Sequence, residues 1–162
     1  MQHEKVRQGG NVKRYHTIQI NGEQTVASHS WGVAMLIREL WPNCSKELLC
    51  AALDHDIPEG ITGDTPFTAK SRFPGIRSAL TCAEEELNSE LGLQVLLSDK
   101  YRARLKVADM LELLWFCLDQ HQLGNKGIDE CFWTGVDHLR AKSQEPQVTA
   151  MVNELCVVVE NT

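Results

Sequence analysis

An all-α fold is what this sequence predicts, and three observations predict it. Apolar residues recur mainly three and four positions apart, the spacing that lines one face of an α-helix. Strict alternation is confined to Ile18-Gln19-Ile20, too short to build a sheet. Pro42, Pro74 and Pro146, with Gly92 and Gly124, fall between the periodic segments, where helices start and stop. The chain has 162 residues and 43% hydrophobic content, the size of one domain with a buried core.

The elements follow in order. The N-terminal residues around His3 read as a frayed end. Val26, Ala27, His29, Val33, Leu36, Ile37 and Leu40 outline an amphipathic helix that stops before Pro42, whose ring does not fit a helix interior. Ser45 is the N-cap of a second helix, with Glu47 near its positive end. Gly60 to Pro66 reads as a loop, and Pro74 opens a third long helix that ends by Gly92. Ser98 caps a fourth, which runs through Leu105, Asp109, Leu113 and Phe116 to a stop at Gly124. A fifth begins near Ile128 and the last follows Pro146. No internal repeat interrupts this order.

Charge and composition exclude several functions. A net charge of −6 argues against broad nucleic-acid or anionic-membrane binding, both of which need a basic surface. No stretch approaches the roughly 20 apolar residues of a membrane span, and the N-terminus has no signal-peptide core, so a cytoplasmic protein is expected. The six cysteines form no C-x-x-C pair and lie mostly among apolar residues, which reads as reduced core thiols. No G-x-x-x-x-G-K-[ST] motif is present, which argues against a P-loop motor or kinase.

The informative residues are polar ones on apolar stripes. His55-Asp56 directly follows the run from Leu48 to Leu53, His29 interrupts the stripe of the first helix, and Asp109 interrupts that of the fourth. Burying an imidazole or a carboxylate is costly unless a partner compensates it, and a divalent ion compensates several at once. Neighbours on a helix point roughly 100° apart, so His55 and Asp56 reach one ion only at a distorted or terminating turn. Pro58 supplies one by removing the amide that would bond back to Asp54. Taken singly, His29 reads as a hydrogen-bonded core histidine and Asp109 as a partner of Arg102 or Lys106. Taken together with the dyad, they read as four N/O ligands on three segments. By contrast, His138 reads as surface, and His121 as a helix-end dipole or cap interaction. Trp31, Trp41, Trp115 and Trp133 read as core or subunit-interface residues, and Glu84-Glu85-Glu86 as a solvated face.

The order His29, His55-Asp56, Asp109 resembles the H…HD…D signature of the HD-domain metal-dependent phosphohydrolases. Arg14-Tyr15, Ser28-His29-Ser30, His55 to Glu59, Thr62 to Pro66 and Ala108-Asp109 look more specifically like the YfbR-type 5′-deoxynucleotidases and the small bacteriophage dATP triphosphohydrolases. The resemblance covers about residues 10 to 120 and implies a single HD-domain helical bundle over residues 1–162. It implies His29, His55, Asp56 and Asp109 as metal ligands, Glu59 as the acid handling protons, and Asp64 as a second required carboxylate. Arg14 matches a basic residue near sugar and phosphate. Tyr15 stands where relatives often carry Trp, which packs on the deoxyribose. The short segment between His29 and His55 resembles the compact phage branch.

Two imidazoles and two carboxylates suit Zn²⁺, Co²⁺, Mn²⁺ or Fe²⁺, with Mg²⁺ also admitted. Glu59 lies near such an ion without being an obvious ligand. Lys70, Arg72 and Arg77 follow the loop and stand where a polyphosphate needs balancing, although each alone reads as a surface charge. The expected reaction is hydrolysis at the 5′ position of a 2′-deoxynucleotide, dATP giving deoxyadenosine and triphosphate. The alternatives are a 5′-deoxynucleotidase releasing phosphate from dNMPs and, more remotely, a non-catalytic nucleotide-binding HD module. The expected partners are a small-molecule deoxynucleotide and further copies of the chain as a homo-oligomer, with no nucleic acid and no membrane.

Overall fold

The structure, a computed structural model, describes residues 2–162. Nine α-helices follow one another among these residues: α1 (Gln2–Gly10), α2 (Val26–Leu40), α3 (Lys46–Asp54), α4 (Glu59–Thr62), α5 (Phe67–Arg72), α6 (Pro74–Glu90), α7 (Asp99–Gln122), α8 (Asp129–Lys142) and α9 (Pro146–Asn161). A 3₁₀ turn, Lys126–Ile128, precedes α8. The all-α expectation holds, and the only pairing of extended backbone among the described residues is an antiparallel bridge between Lys13 and Thr25. No described helix is long and apolar enough to cross a membrane.

Local chemistry explains where the helices begin. At α2, Thr25 N donates to Ser28 Oγ (3.0 Å) and Ser28 N donates to Thr25 Oγ1 (3.3 Å). This is a reciprocal capping box with serine in the position usually held by glutamate. Ser45 Oγ accepts from Leu48 N at α3, and Ser98 Oγ accepts from Tyr101 N at α7, both at 3.3 Å, as expected of these two caps. Pro74 and Pro146 occupy first helical positions, where a missing amide is harmless.

Four expectations need correction. Gly60 to Thr62 are helical, because Glu59, Gly60 and Ile61 donate their amides back to Asp56, Ile57 and Pro58 and tighten the chain into the short α4. The N-terminal segment is helical as well. The α5 helix was not foreseen, since Phe67–Arg72 has no buried face to give it an apolar period. Finally, the thiols are not all core: Cys117 and Cys156 are buried, Cys44, Cys50 and Cys131 are half-buried, and Cys82 is exposed, all of them free.

The chain forms two compact units, Met1–Trp31 with Cys50–Leu96, and Gly32–Leu49 with Leu97–Thr162. In the first, α1 seats against α4 by glycine contact. A Cβ on Gly60 would lie 2.9 Å from both the Cα and the N of Gly9, and one on Gly9 would lie 2.3 Å from the Ile57 carbonyl oxygen. The strap after α1 is held by Arg14 N donating to Gln24 O and Val26 N to Val12 O, both at 2.9 Å. In the second unit Val33, Ile37, Leu111, Leu114, Phe132, Val136, Leu139, Val148 and Leu155 are buried. Burial of such a side chain contributes about 1.5–3 kcal/mol each. Trp41 is buried there too, its indole N–H donating to Glu145 Oε2 (2.7 Å) while Arg104 stacks on the ring and binds the same carboxylate.

Candidate functional site

The first unit places the His55-Asp56 dyad on a terminating turn. Helix α3 ends at Asp54, residues 55–58 form turns, and the Asp54 carbonyl accepts from Ile57 N (3.1 Å) because Pro58 has no amide to offer it. The two adjacent side chains are thereby freed from the angular spacing of a regular helix. His55 Nδ1 faces the Ala52 carbonyl oxygen at 2.9 Å. A carbonyl only accepts, so Nδ1 carries the proton and, in the neutral ring, Nε2 keeps its lone pair.

His29 arrives from the first turn of α2, where the Thr25–Ser28 box sets the helix phase, and it is fully buried. The His29 and His55 rings lie 5.4 Å apart between centroids, tilted by 52°, and a ring nitrogen of one is within 4.8 Å of a ring nitrogen of the other. Both Nε2 atoms converge on one oxygen: Asp56 Oδ2 is 3.6 Å from His29 Nε2 and 3.4 Å from His55 Nε2. These separations exceed the ~2.7–2.9 Å of a charge-assisted hydrogen bond. They match the roughly 3.4 Å edge between two ligands that each sit about 2.1 Å from a tetrahedral ion. The donor set and its spacing therefore fit a divalent metal.

Arg14 reaches the same oxygen from the strap, its Nη1 donating to Asp56 Oδ2 at 2.9 Å with both side chains largely buried. Its guanidinium also lies 5.5 Å from the Tyr15 ring centroid. Tyr15 is the one non-glycine described residue with positive φ, +58°, and its hydroxyl is buried. A left-handed tyrosine is strained, and such strain gathers at functional sites.

Glu59 opens α4 and is 5% exposed, with Oε2 buried and lacking a protein partner. Burial first, and then the Asp56 and Asp64 carboxylates, push its pKa up to about 8, against the opposing pull of Arg14 and Lys70. Asp64 lies in the following loop, largely buried, 3.9 Å from His16 Nδ1. Lys70 is half-buried on α5. Asp109 stands on α7 in the second unit, half-buried beside fully buried Ala108. Arg102, an alternative partner for it, pairs with Asp99 instead (2.9 Å).

Sequence reasoning passed over two residues here. His16 faces Asp64, and the hydroxyl of Ser30, next to His29, is buried without a protein partner. Only the motif position of Ser30 signalled it; His16 carries no local signal. Elsewhere, His138 is exposed as expected. His121 is more than a helix-end cap, being buried with Nδ1 2.7 Å from Asp129 Oδ1 and Nε2 2.6 Å from Lys126 Nζ. The 3₁₀ turn folds both partners back onto it. Of the tryptophans, Trp41 is core, whereas Trp31 and Trp115 are exposed.

Comparison with known proteins places the chain in a family. The family described as 5′-deoxynucleotidase YfbR-like matches residues 5–158. The chain belongs to this family. A dATP triphosphohydrolase of Salmonella phage PMBT28 is 31% identical to this YfbR-like protein over 144 residues, covering 75% of this chain and 71% of the relative. Among solved structures, the cyanophage S-2L HD phosphohydrolase DatZ, bound to dA and one catalytic Zn²⁺ ion, superposes with a TM-score of 0.69 at 19% identity, covering 98% of this chain and 96% of that one. A Listeria innocua HD-domain phosphohydrolase superposes with a TM-score of 0.73 at 20% identity, covering 99% and 88%. The fold of this YfbR-like chain is thus the HD-domain fold, and the protein is a hydrolase with a site suited to a divalent metal.

Proposed function

We propose that this YfbR-like enzyme cleaves the P–O bond at the 5′ position of a 2′-deoxynucleotide, with dATP and water giving deoxyadenosine and triphosphate as its main reaction. The observation that carries the reading is the convergence of the His29 and His55 Nε2 atoms on Asp56 Oδ2 beside the buried, protonatable Glu59. We assign Asp109 as the further carboxylate ligand alongside His29, His55 and Asp56, the role its place in the H…HD…D order implies. When bound, the divalent ion supplies Lewis-acid activation of water and of the phosphoryl group.

The chain's own residues do the rest. Arg14 fixes Asp56 Oδ2 in place and brings positive charge to the phosphate side of the site. Glu59 holds or takes a proton at Oε2, its pKa raised to about 8 by burial and by the Asp56 and Asp64 carboxylates. Asp64 adds negative charge that keeps Glu59 basic enough to take a proton, and Lys70 balances phosphate charge. Tyr15 packs on the sugar, the role implied by its place beside Arg14. Zn²⁺, Co²⁺, Mn²⁺ and Fe²⁺ all suit this donor set. Ile61, Phe67, Phe73 and Ile76 are exposed in the first unit and support a homo-oligomer.

The phage relative's name and the deoxyadenosine in DatZ favour the triphosphate reading, while the family description supports dNMP hydrolysis as the second reading. The test is a substrate panel. Purified protein with Mn²⁺ or Co²⁺ is given dATP, dAMP and ATP, and both nucleoside and phosphate products are measured. Deoxyadenosine with intact triphosphate from dATP is expected. Deoxyadenosine from dAMP alone would select the second reading, and no deoxynucleoside from any substrate would overturn both.

A further inference from the structure

A cluster in the second unit is not used by the proposed chemistry. Helices α7 and α8 run antiparallel there, and two contacts fix their register. At one, a Cβ on Gly135 would come within 2.7 Å of Leu114 Cδ2, so the helices touch where α8 has no side chain. At the other, His121 Nδ1 meets Asp129 Oδ1 at 2.7 Å. Cys117 lies three residues after Leu114 and four before His121, and Cys131 lies two after Asp129 and four before Gly135. The two cysteines are therefore the facing pair between these contacts, and both thiols are free.

We propose that Cys117 and Cys131 are a redox-active dithiol, a modification site at which small-molecule disulfides reversibly convert two thiols to a disulfide joining α7 to α8. The two cysteines have unequal access: Cys117 is buried and Cys131 is half-buried. A hydrogen bond from Cys117 also holds the Cys131 thiol below the usual range, at about 7, against the opposing effect of burial. The same bond, together with burial, pushes Cys117 up, so the thiolate resides on Cys131.

The order of events follows. The Cys131 thiolate attacks one sulfur of a disulfide RSSR, forming a mixed disulfide and expelling RS⁻. Cys117 then loses its proton to a departing thiolate and attacks the Cys131 sulfur, expelling the second RS⁻. Two protein thiols are oxidised, one RSSR is reduced to two RSH, and both protons end on the released thiols. Gly135, one helical turn from Cys131 on the same face, leaves room that the Leu114 side chain of α7 fills, so α8 packs directly on α7 at this level.

The sequence makes the test direct, because Lys106, Lys126 and Arg140 place the two cysteines in separate tryptic peptides, 107–126 and 127–140. Metal-loaded full-length protein is treated with oxidised glutathione, free thiols are blocked, and the digest is analysed without reduction. A linked pair of these peptides, lost on adding dithiothreitol, is expected, together with alkylation of Cys131 at least about tenfold faster than that of half-buried Cys44 and Cys50. Cys117→Ala should stop at glutathione on Cys131, and Cys131→Ser should leave Cys117 a thiol. Exposed Cys82 reports that the oxidant is active. Absence of the linked pair while Cys82 is modified would overturn the proposal, as would alkylation of Cys131 no faster than Cys44.

Discussion

At the scale of single residues, Asp56 Oδ2 is where the site gathers: two imidazole nitrogens and a guanidinium approach it. On the proposal that Asp56 is a ligand, Arg14 acts on metal binding through it, and Arg14→Ala should weaken metal affinity by about 10–100-fold, read by titration with Mn²⁺ or Zn²⁺. Unchanged affinity would show that the ion pair is only structural. Glu59 separates from the ligands in a different way. Glu59→Ala should keep stoichiometric metal and lose about 10²–10⁴-fold in rate, whereas Asp109→Ala should lose both, measured by metal content and turnover together. Glu59 also has a signature without metal. Its folded-state pKa is raised to about 8, so the folded chain keeps a proton that the unfolded chain releases near 4.5. The resulting stabilisation is complete below the unfolded value and lost as pH rises through about 8. Metal-free wild type should thus lose Tm relative to Glu59→Gln between about pH 5 and pH 8.5, and parallel profiles would refute the assignment. His29, His55, Asp56 and Asp109 stood out as polar residues on apolar stripes, and the resemblance to the H…HD…D order made them the expected ligands. The pairing of Arg14 with Asp56 was not, because the two are 42 residues apart and only the folded strap joins them.

At the scale of elements, the site depends on a turn that α1 holds from behind. Gly60 and Gly9 approach so closely that any Cβ meets backbone, which cannot rotate away. Gly60→Ala should cost about 2 kcal/mol or more, seen as a lower urea midpoint, and should also slow turnover by shifting the turn that carries Asp56 and Glu59. If stability falls with full activity per folded molecule, the contact supports the fold without setting the site. This explains why α1 escaped sequence reading: the partner of its Gly9 is Gly60, far along the chain, and its own residues are polar and show little apolar stripe. Helices α2, α3, α7 and α9 were readable because what starts and stops them is local. Ser45 and Ser98 cap by their own hydroxyls, and Pro146 fits only at a helix start. The α5 and α6 helices bury no residue completely, so the apolar period had little to report there even where Pro74 marked the start.

At the scale of the whole molecule, a ligand that binds only the folded chain stabilises it in proportion to the logarithm of its concentration over Kd. Saturating Mn²⁺ or Zn²⁺ at about 100 times Kd should therefore raise Tm by about 5–10 °C, and a chelator should reverse the shift. No shift would contradict a metal centre within the folded protein. The negative net charge and the fold were both foreseen from composition and periodicity, whereas the number of phosphates on the substrate is encoded in no spacing. The left-handed backbone of Tyr15 bears on how this protein can be changed. Glycine or asparagine would relieve that strain, by about 1 kcal/mol for glycine, at the cost of the half-buried ring's packing, so a library screened only for heat resistance would enrich them at position 15 where the relief outweighs that packing. On the proposal that Tyr15 packs on the sugar, such winners would be sturdier proteins with a poorer grip on deoxyribose. Directed evolution of this enzyme should therefore screen turnover alongside survival.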